Sequence, residues 1–405
     1  MGALSHIRVL DLSRVLAGPW ATQILGDLGA EIIKIEHPRD GDETRHFGPP
    51  FVTGKDGARG DATYFLSANR NKKSVGIDFS KPEGAALIKR LARRAHVVVE
   101  NFKTGSLAKY GLDYASLSKD NPALIYCSLT GFGHTGPYAN KAGYDYLVQG
   151  MAGLMSITGQ RDGAPGGEPV KVGVAVSDIF TGLYSAIAIL AAVVHQTKTG
   201  EGQEIDMALF DSQTAALANQ AMNYLVGGTV PQRLGNAHPN IVPYQVFATS
   251  DGHMILAAAN DNQFRRFCKA ASCEHLAADP RFTTNADRVH NRDALIAALV
   301  PLFTTHTTGQ WIAMLEAANV PCGPINRIDQ VFADPQAHAR GLKVPMQHAT
   351  AGMIDLVASP LKLSKTPPEY KNAPPILGQH TDEVLRETLD LSPADLAALR
   401  QSGVL

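Results

Sequence analysis

Near its start this 405-residue chain sets up a rhythm that leaves few folds open to it. A strand-like run, Ile7–Leu12 (IRVLDL), passes into an amphipathic helical pattern over Pro19–Leu28 and then into a second strand pattern, Ala30–Glu36 (AEIIKIE). Strand-like runs return at Ser74–Phe79, His96–Glu100, Leu124–Leu129 and Glu204–Leu209, with helical stretches such as Pro82–Ala92 between them. Such β-α-β repetition predicts an α/β fold, a large Rossmann-like domain whose mostly parallel sheet is covered on both faces through right-handed crossovers. Dinucleotide binding is disfavoured, because the turn after the first strand, Ser13–Gly18, lacks the glycines that let backbone approach a pyrophosphate. Gly131, Gly133 and Gly136 match that spacing later on, but Pro137 follows and no helix opens there.

The texture changes after Met222. A Pro/Asn-rich segment leads into a hairpin pattern, Val246–Thr249 and His253–Ala258, and then helical stretches at Asn262–Ala271, Asn291–Phe303 and Thr308–Ala318. This predicts three segments: 1–225 as the first part of the large domain, 226–324 as a smaller α+β domain, and 325–405 as a return to the large domain. In the tail a strand pair is expected near Met353–Leu363 and a helix over Pro393–Gln401, with Ser392 as its N-cap.

A formal net charge of −1 gives no basic field, which disfavours nucleic acid as a partner. Cys127, Cys268, Cys273 and Cys322 form no CxxC pair and read as buried thiols of a reducing, cytoplasmic compartment. No unbroken apolar run reaches membrane-spanning length, Leu183–Val194 being the best candidate and too short, so no membrane contact is expected. The histidines are scattered singly, and neither a metal nor any tightly bound cofactor is expected.

The stretch Val172–Gly200 carries one carboxylate, Asp178, between a short strand-like run and about five turns of apolar helix. Two readings fit. Asp is a common N-cap, which is the ordinary role for such a residue. A carboxylate at a strand-to-helix turn that faces a dry cleft is also a competent nucleophile toward acyl carbon. The local sequence leaves both open.

Seven segments in order add a further indication: IRVLDLSRVLAGPWATQILGDLGAEIIKIEHP, NRNKKSVGIDF, VVVENFKTGSLAKYGL, YCSLTGFGHTGPYANKAGYD, VGVAVSDIFTGLYSA, GEGQEIDMALFDS and PILGQHTDEVL. Together they resemble the class III CoA-transferases, and the wording of NRNKKS, KAGYD and HPNIVPYQVF is similar to the succinyl-CoA:glutarate, or dicarboxylate, branch. The resemblance implies that Asp178 carries first the acyl group and then CoA, with coenzyme A a substrate rather than a resident cofactor. It implies that Val15, Leu16 and Ala17 lie against CoA, that His37 stands where relatives often carry Arg for a phosphate contact, and that Asn101, Phe102 and Lys103 line the CoA path. Ile77, Lys109 and Lys141 are further CoA candidates by the same resemblance. Tyr144 and Asp145 would lie beside the acyl group, and His238 stands in the segment that replaces the Gly-rich lid of formyl-CoA transferase. The partners so implied are an acyl-CoA, a free carboxylic acid and a second copy of the chain in an interlocked homodimer. An α-methylacyl-CoA racemase of the same fold is the rival activity; racemases carry His where this chain has Tyr144, a poor base at neutral pH. A CoA-binding protein without turnover is the rival from another class.

Overall fold

The computed structural model describes residues 2–405, which divide into two units. The first takes the chain up to Leu154, Val172–Met222 and Pro335–Leu405. The second takes Met155–Lys171 and Asn223–Asp334, where the sequence reading set 226–324. The sequence reading gave no hint that Met155–Lys171 belongs with the second unit.

In the first unit the strands are β1 (Arg8–Asp11), β2 (Glu31–Glu36), a small hairpin of β3 (Phe51–Thr53) and β4 (Arg59–Ala62), then β5 (Lys72–Gly76), β6 (Val97–Glu100), β7 (Ile125–Thr130) and β8 (Gln203–Ala208). Six of them form one sheet in the order β5-β2-β1-β6-β7-β8, with every neighbouring pair parallel. The sheet is therefore wound outward in both directions from β1 and β6, and the crossover direction reverses between these two. In open sheets of this kind a crevice opens at that reversal, beyond the carboxyl ends of the strands.

Register puts Leu10 beside Ile33 and Val98 in one row, and Val9 beside Ile32 and Val97 in the next. Because strand side chains alternate, these rows face opposite ways. Leu10, Ile33, Val75 and Val98 pack with Leu87, Ile88 and Leu91 of the helix Pro82–Ala92 and with Val384, Leu385 and Leu389 of the helix Thr381–Leu389. Val9, Ile32, Val97, Val99 and Ile125 pack with Leu25 of the helix Ala17–Asp27 and with Ile189, Ala192 and Val193 of the helix Val176–Thr199. The last two helices lie close together, since a Cβ on Gly182 would come within 2.7 Å of the Ala17 carbonyl oxygen.

Two expectations need correction here. Val172–Ala175 is not a strand: no ladder pairs it, and the 24-residue helix simply begins at Val176. By length and hydropathy that helix would suffice to cross a membrane; one face of it packs on the sheet through Ile189, Ala192 and Val193. The tail hairpin is β12 (Lys343–His348) with β13 (Gly352–Val357), upstream of the expected 353–363, while the helix Pro393–Gln401 has the Ser392 cap and a reciprocal bond with Asp395.

The second unit has its own core. Strands β9 (Tyr244–Ala248), β10 (His253–Ala257) and β11 (Cys322–Pro324) form an antiparallel sheet. Phe247 stacks on Phe303 with centroids 4.1 Å apart, and Phe303 lies 4.8 Å from Trp311.

Candidate active site

Four strands end where the first unit opens a cavity of about 310 Å³. The loop after β1 supplies Arg14, Val15, Leu16 and Ala17, the loop after β6 supplies Asn101, Phe102, Lys103 and Thr104, and the segment after β7 supplies Lys141, Gly143 and Tyr144. Leu209, directly after β8, completes the wall, and Asp178 lines the cavity from its helix. The β7 segment folds back tightly: a Cβ on Gly131 would meet the Gly143 Cα at 2.5 Å, so only paired glycines let the two backbones touch. A second cavity of about 240 Å³ shares Arg14 and Phe102 with the first and is lined by Leu12, His37, Ile77 and Asp78. Together they form a path along the carboxyl edge of β7, β6, β1, β2 and β5.

The loop after β1 is held in an unusual shape. Val15 has φ +68°, a left-handed conformation that is costly for a β-branched residue. What over-determines it is visible on both sides. Arg14 N–H donates to Asn101 Oδ1 at 2.8 Å while Asn101 Nδ2 donates to the Arg14 carbonyl at 2.6 Å. Val15 N–H donates to Asp42 Oδ1, and the fully buried Lys34 ammonium bridges the Ser13 carbonyl at 2.8 Å and Asp42 at 2.9 Å. Burial would raise the Asp42 carboxyl, but Lys34 and the Thr44 hydrogen bonds outweigh it and hold the group down at about 2. Beside this pair Lys72 donates to Asp11, and burial, only partly offset by Asp11, pulls its ammonium down to about 8.

Asp178 is the opposite case. It occupies the third position of the helix Val176–Thr199, and Ala175 stands at the cap, so the N-cap reading of Asp178 is set aside by position. Among the described residues no hydrogen bond reaches its carboxylate, and burial, reinforced by the charge of Asp145, pushes it up to about 7. A half-buried, unbonded carboxylate is poorly stabilised as an anion and correspondingly nucleophilic.

Of the residues singled out from sequence, Val15, Leu16, Ala17, Asn101, Phe102, Lys103, Lys141, Tyr144 and Asp178 line the first cavity, and His37 and Ile77 line the second. Within that set, Asn101 spends its amide on the Arg14 backbone, Lys141 Nζ lies 3.7 Å from the centre of the Tyr138 ring, and His37 Nδ1 lies 3.0 Å from Asp40. Lys109 lines neither cavity and lies over Tyr110. Asp145 is not on the cavity wall either; it accepts from Ser177 N–H at 2.8 Å and Gln149 Nε2 at 2.7 Å. His238 belongs to the second unit, where its Nδ1 accepts from Asn240 N–H.

The sequence reading missed Arg14, which lines both cavities, pairs with Glu43 at 2.8 Å and lies over Phe102. A cation in the turn after the first strand of such a sheet was the available signal. It also missed Tyr64, whose phenol is pushed up to about 12 by burial and then by the charges of Asp178 and Asp145. Nothing local in TYFL marks that tyrosine.

The sequence pattern of CoA-transferase family III matches residues 4–381. A succinate–glutarate CoA-transferase of Agrobacterium fabrum is 53% identical over 389 residues, 95% of each chain. The succinyl-CoA:glutarate CoA-transferase of Homo sapiens is 44% identical over 402 residues, 99% of this chain and 90% of that one. Among solved structures, a CAIB/BAIF family protein from Brucella suis superposes with a TM-score of 0.84 at 48% identity, covering 96% of this chain and 99% of its own. With a match across nearly its whole length and relatives well above the level at which family is in question, this chain belongs to CoA-transferase family III, enzymes that transfer CoA.

Proposed function

We propose that the chain moves CoA from succinyl-CoA to glutarate or a similar dicarboxylate, with Asp178 as the covalent carrier. The observation that carries this reading is a single unbonded carboxylate on the wall of a cavity that continues into a second one, a path of the right kind for a long thioester. The names of the relatives supply the donor and acceptor.

The steps balance without metal or ATP. An Asp178 carboxylate oxygen attacks the succinyl carbonyl carbon, the C–S bond breaks, and CoA thiolate leaves a succinyl-aspartyl anhydride. The thiolate then attacks the aspartyl carbonyl, the anhydride C–O bond breaks, and succinate departs from an aspartyl-CoA thioester. Glutarate reverses the sequence: its carboxylate displaces thiolate to form a second anhydride, and thiolate attack on the glutaryl carbonyl yields glutaryl-CoA and restores Asp178. Each step exchanges one activated acyl bond for another, so the protein's task is orientation and exclusion of water. The tight Gly131–Gly143 wall and the clamped Arg14–Ala17 loop serve that task.

The working unit in this reading is an interlocked homodimer of the cytoplasm. Support comes from the helix of Asp178, which leaves Leu183, Tyr184, Ile187 and Val194 exposed, an apolar stripe suited to a second copy. Incubation with succinyl-CoA followed by borohydride reduction and peptide mass spectrometry is expected to find the adduct on Asp178. Full turnover by Asp178→Ala would end the assignment.

A further inference from the structure

The helix that carries Asp178 has no cap of its own. Ala175 offers no side-chain acceptor, yet the first N–H groups of a helix need partners. Val176 N–H turns to the Val174 carbonyl at 2.8 Å, and Ser177 N–H is met from elsewhere in the chain. Asp145 Oδ1 accepts from Ser177 N–H at 2.8 Å, and its Oδ2 accepts from Gln149 Nε2 at 2.7 Å. Gln149, fully buried, accepts from Val172 N–H at 2.9 Å through its Oε1, and Ser177 Oγ donates to Gln213 at 2.9 Å. Asp145 and Gln149 lie one turn apart on the helix Asp145–Met151, so a single short helix grips both ends of the segment Val172–Ser177 that delivers Asp178 to the cavity.

An Asp at the third helical position ordinarily reaches back to the backbone N–H of the cap residue, and a carboxylate is favoured near a helix N-terminus. Here a different carboxylate holds the helix start. We propose that Asp145, locked by Gln149, is a positioning residue: it takes over the capping of this helix, so that the Asp178 carboxylate stays free of hydrogen bonds and turned to the cavity. The role extends the proposed function, on which it rests, and it reassigns a residue that the family resemblance had set beside the acyl group.

The geometry makes two separable demands. Position requires the Gln149 clamp; electrostatics require the Asp145 charge, which adds to burial in raising Asp178. The other charged and titratable groups about Asp178 are Arg14, Glu43, Lys103, Lys141 and Tyr144 on the cavity wall and Tyr64 from the helix Thr63–Leu66. Tyr64 also feels the Asp145 charge, so Asp145→Asn relieves part of its upward shift too, but a phenol raised to about 12 stays protonated throughout the range of the acid limb.

The test is the pH dependence of kcat/KM for succinyl-CoA in the full chain, measured on the wild type, Asp145→Asn and Gln149→Ala. Asp145→Asn keeps an acceptor for Ser177 N–H but removes the charge and turns an amide donor toward Gln149 Nε2, so kcat falls as well, and its acid limb is expected at least half a pH unit below that of the wild type. Gln149→Ala keeps the charge but opens the clamp: kcat falls at least tenfold, KM for succinyl-CoA changes less than threefold, and the limb stays in place. An unmoved limb in Asp145→Asn overturns the proposal, as does wild-type kcat in a folded Gln149→Ala; should Gln149→Ala fail to fold, the limb of Asp145→Asn decides alone. Borohydride trapping on the wild type is read separately. Absence of an Asp178 adduct there defeats the carrier assignment itself, whereas an adduct with an unmoved limb defeats only the role of Asp145.

Discussion

Ionising Asp178 costs free energy in the folded chain, because burial and then the charge of Asp145 oppose it and no hydrogen bond compensates. Raised from 3.8 to about 7, the folded carboxyl keeps a proton that the unfolded chain has already lost between those values. The stability this group contributes is therefore complete below about pH 4 and is lost as pH rises through about 7. Some three units at about 1.4 kcal/mol each set a ceiling of ~4 kcal/mol, lowered by the water that reaches a half-buried group. Asp178→Asn cannot ionise, and calorimetry is expected to show it melting a few degrees above the wild type near pH 8 and level with it near pH 4, with turnover abolished. Equal melting near pH 8 would mean that the carboxylate is not strained. The same titration predicts that wild-type kcat/KM rises with pH to a plateau above about 7, since only the anion attacks. At this scale the sequence was legible in part: it offered Asp178 as cap or nucleophile, and the family resemblance tipped the choice. The partner that actually caps the helix stands 32 residues upstream of Ser177, at a distance no local pattern can span.

The elements show why some of the fold could be read and some not. β1, β2, β6 and β7 announced themselves because strands buried on both faces are apolar runs. Lys34 in AEIIKIE looked like ordinary solvent-facing alternation, yet it is fully buried, since Asp42 and the Ser13 carbonyl pair it. Burial of a charge depends on partners that only the folded chain supplies. The run Val172–Ala175 misled in the other direction, being apolar enough for a strand but without a neighbour to pair with. Between β1 and the helix Ala17–Asp27 these buried charges hold a loop in strain, and Asn101 closes the clamp. Asn101→Ala removes two hydrogen bonds worth about 0.5 to 1.5 kcal/mol each and frees Val15 to relax. KM for the acyl-CoA is expected to rise roughly ten- to a hundredfold, with kcat at saturation falling by a much smaller factor. A proportional loss in kcat with unchanged KM would place the action of the clamp at the reacting carbon instead of along the CoA path.

For the whole molecule, the proposed homodimer makes unfolding inseparable from dissociation, so the melting temperature is expected to rise with protein concentration. A monodisperse monomer in sedimentation at micromolar concentration, with a concentration-independent melt, would contradict it. The sequence reading set 325–405 as a return to the large domain, and it gave no measure of how deeply the segment Pro335–Leu405 is built into the first unit. Asn71 N–H donates to the Asn372 carbonyl at 2.7 Å, His380 N–H to Ser74, and Asp78 N–H to Val404, while Val384, Leu385, Leu389, Leu396 and Val404 pack into the core under β5 and β2. Ile77, at the end of β5 and on the wall of the second cavity, belongs to that same core. On the ribosome this reverses the usual order. The second unit, though inserted, has its last residue by Asp334, whereas the first unit, begun earliest, waits for about seventy more residues before its sheet is covered. At roughly 5 to 20 residues per second that interval lasts on the order of 4 to 14 seconds, during which the edge of β5 and the apolar face above it stand open to chaperones and to neighbouring nascent chains.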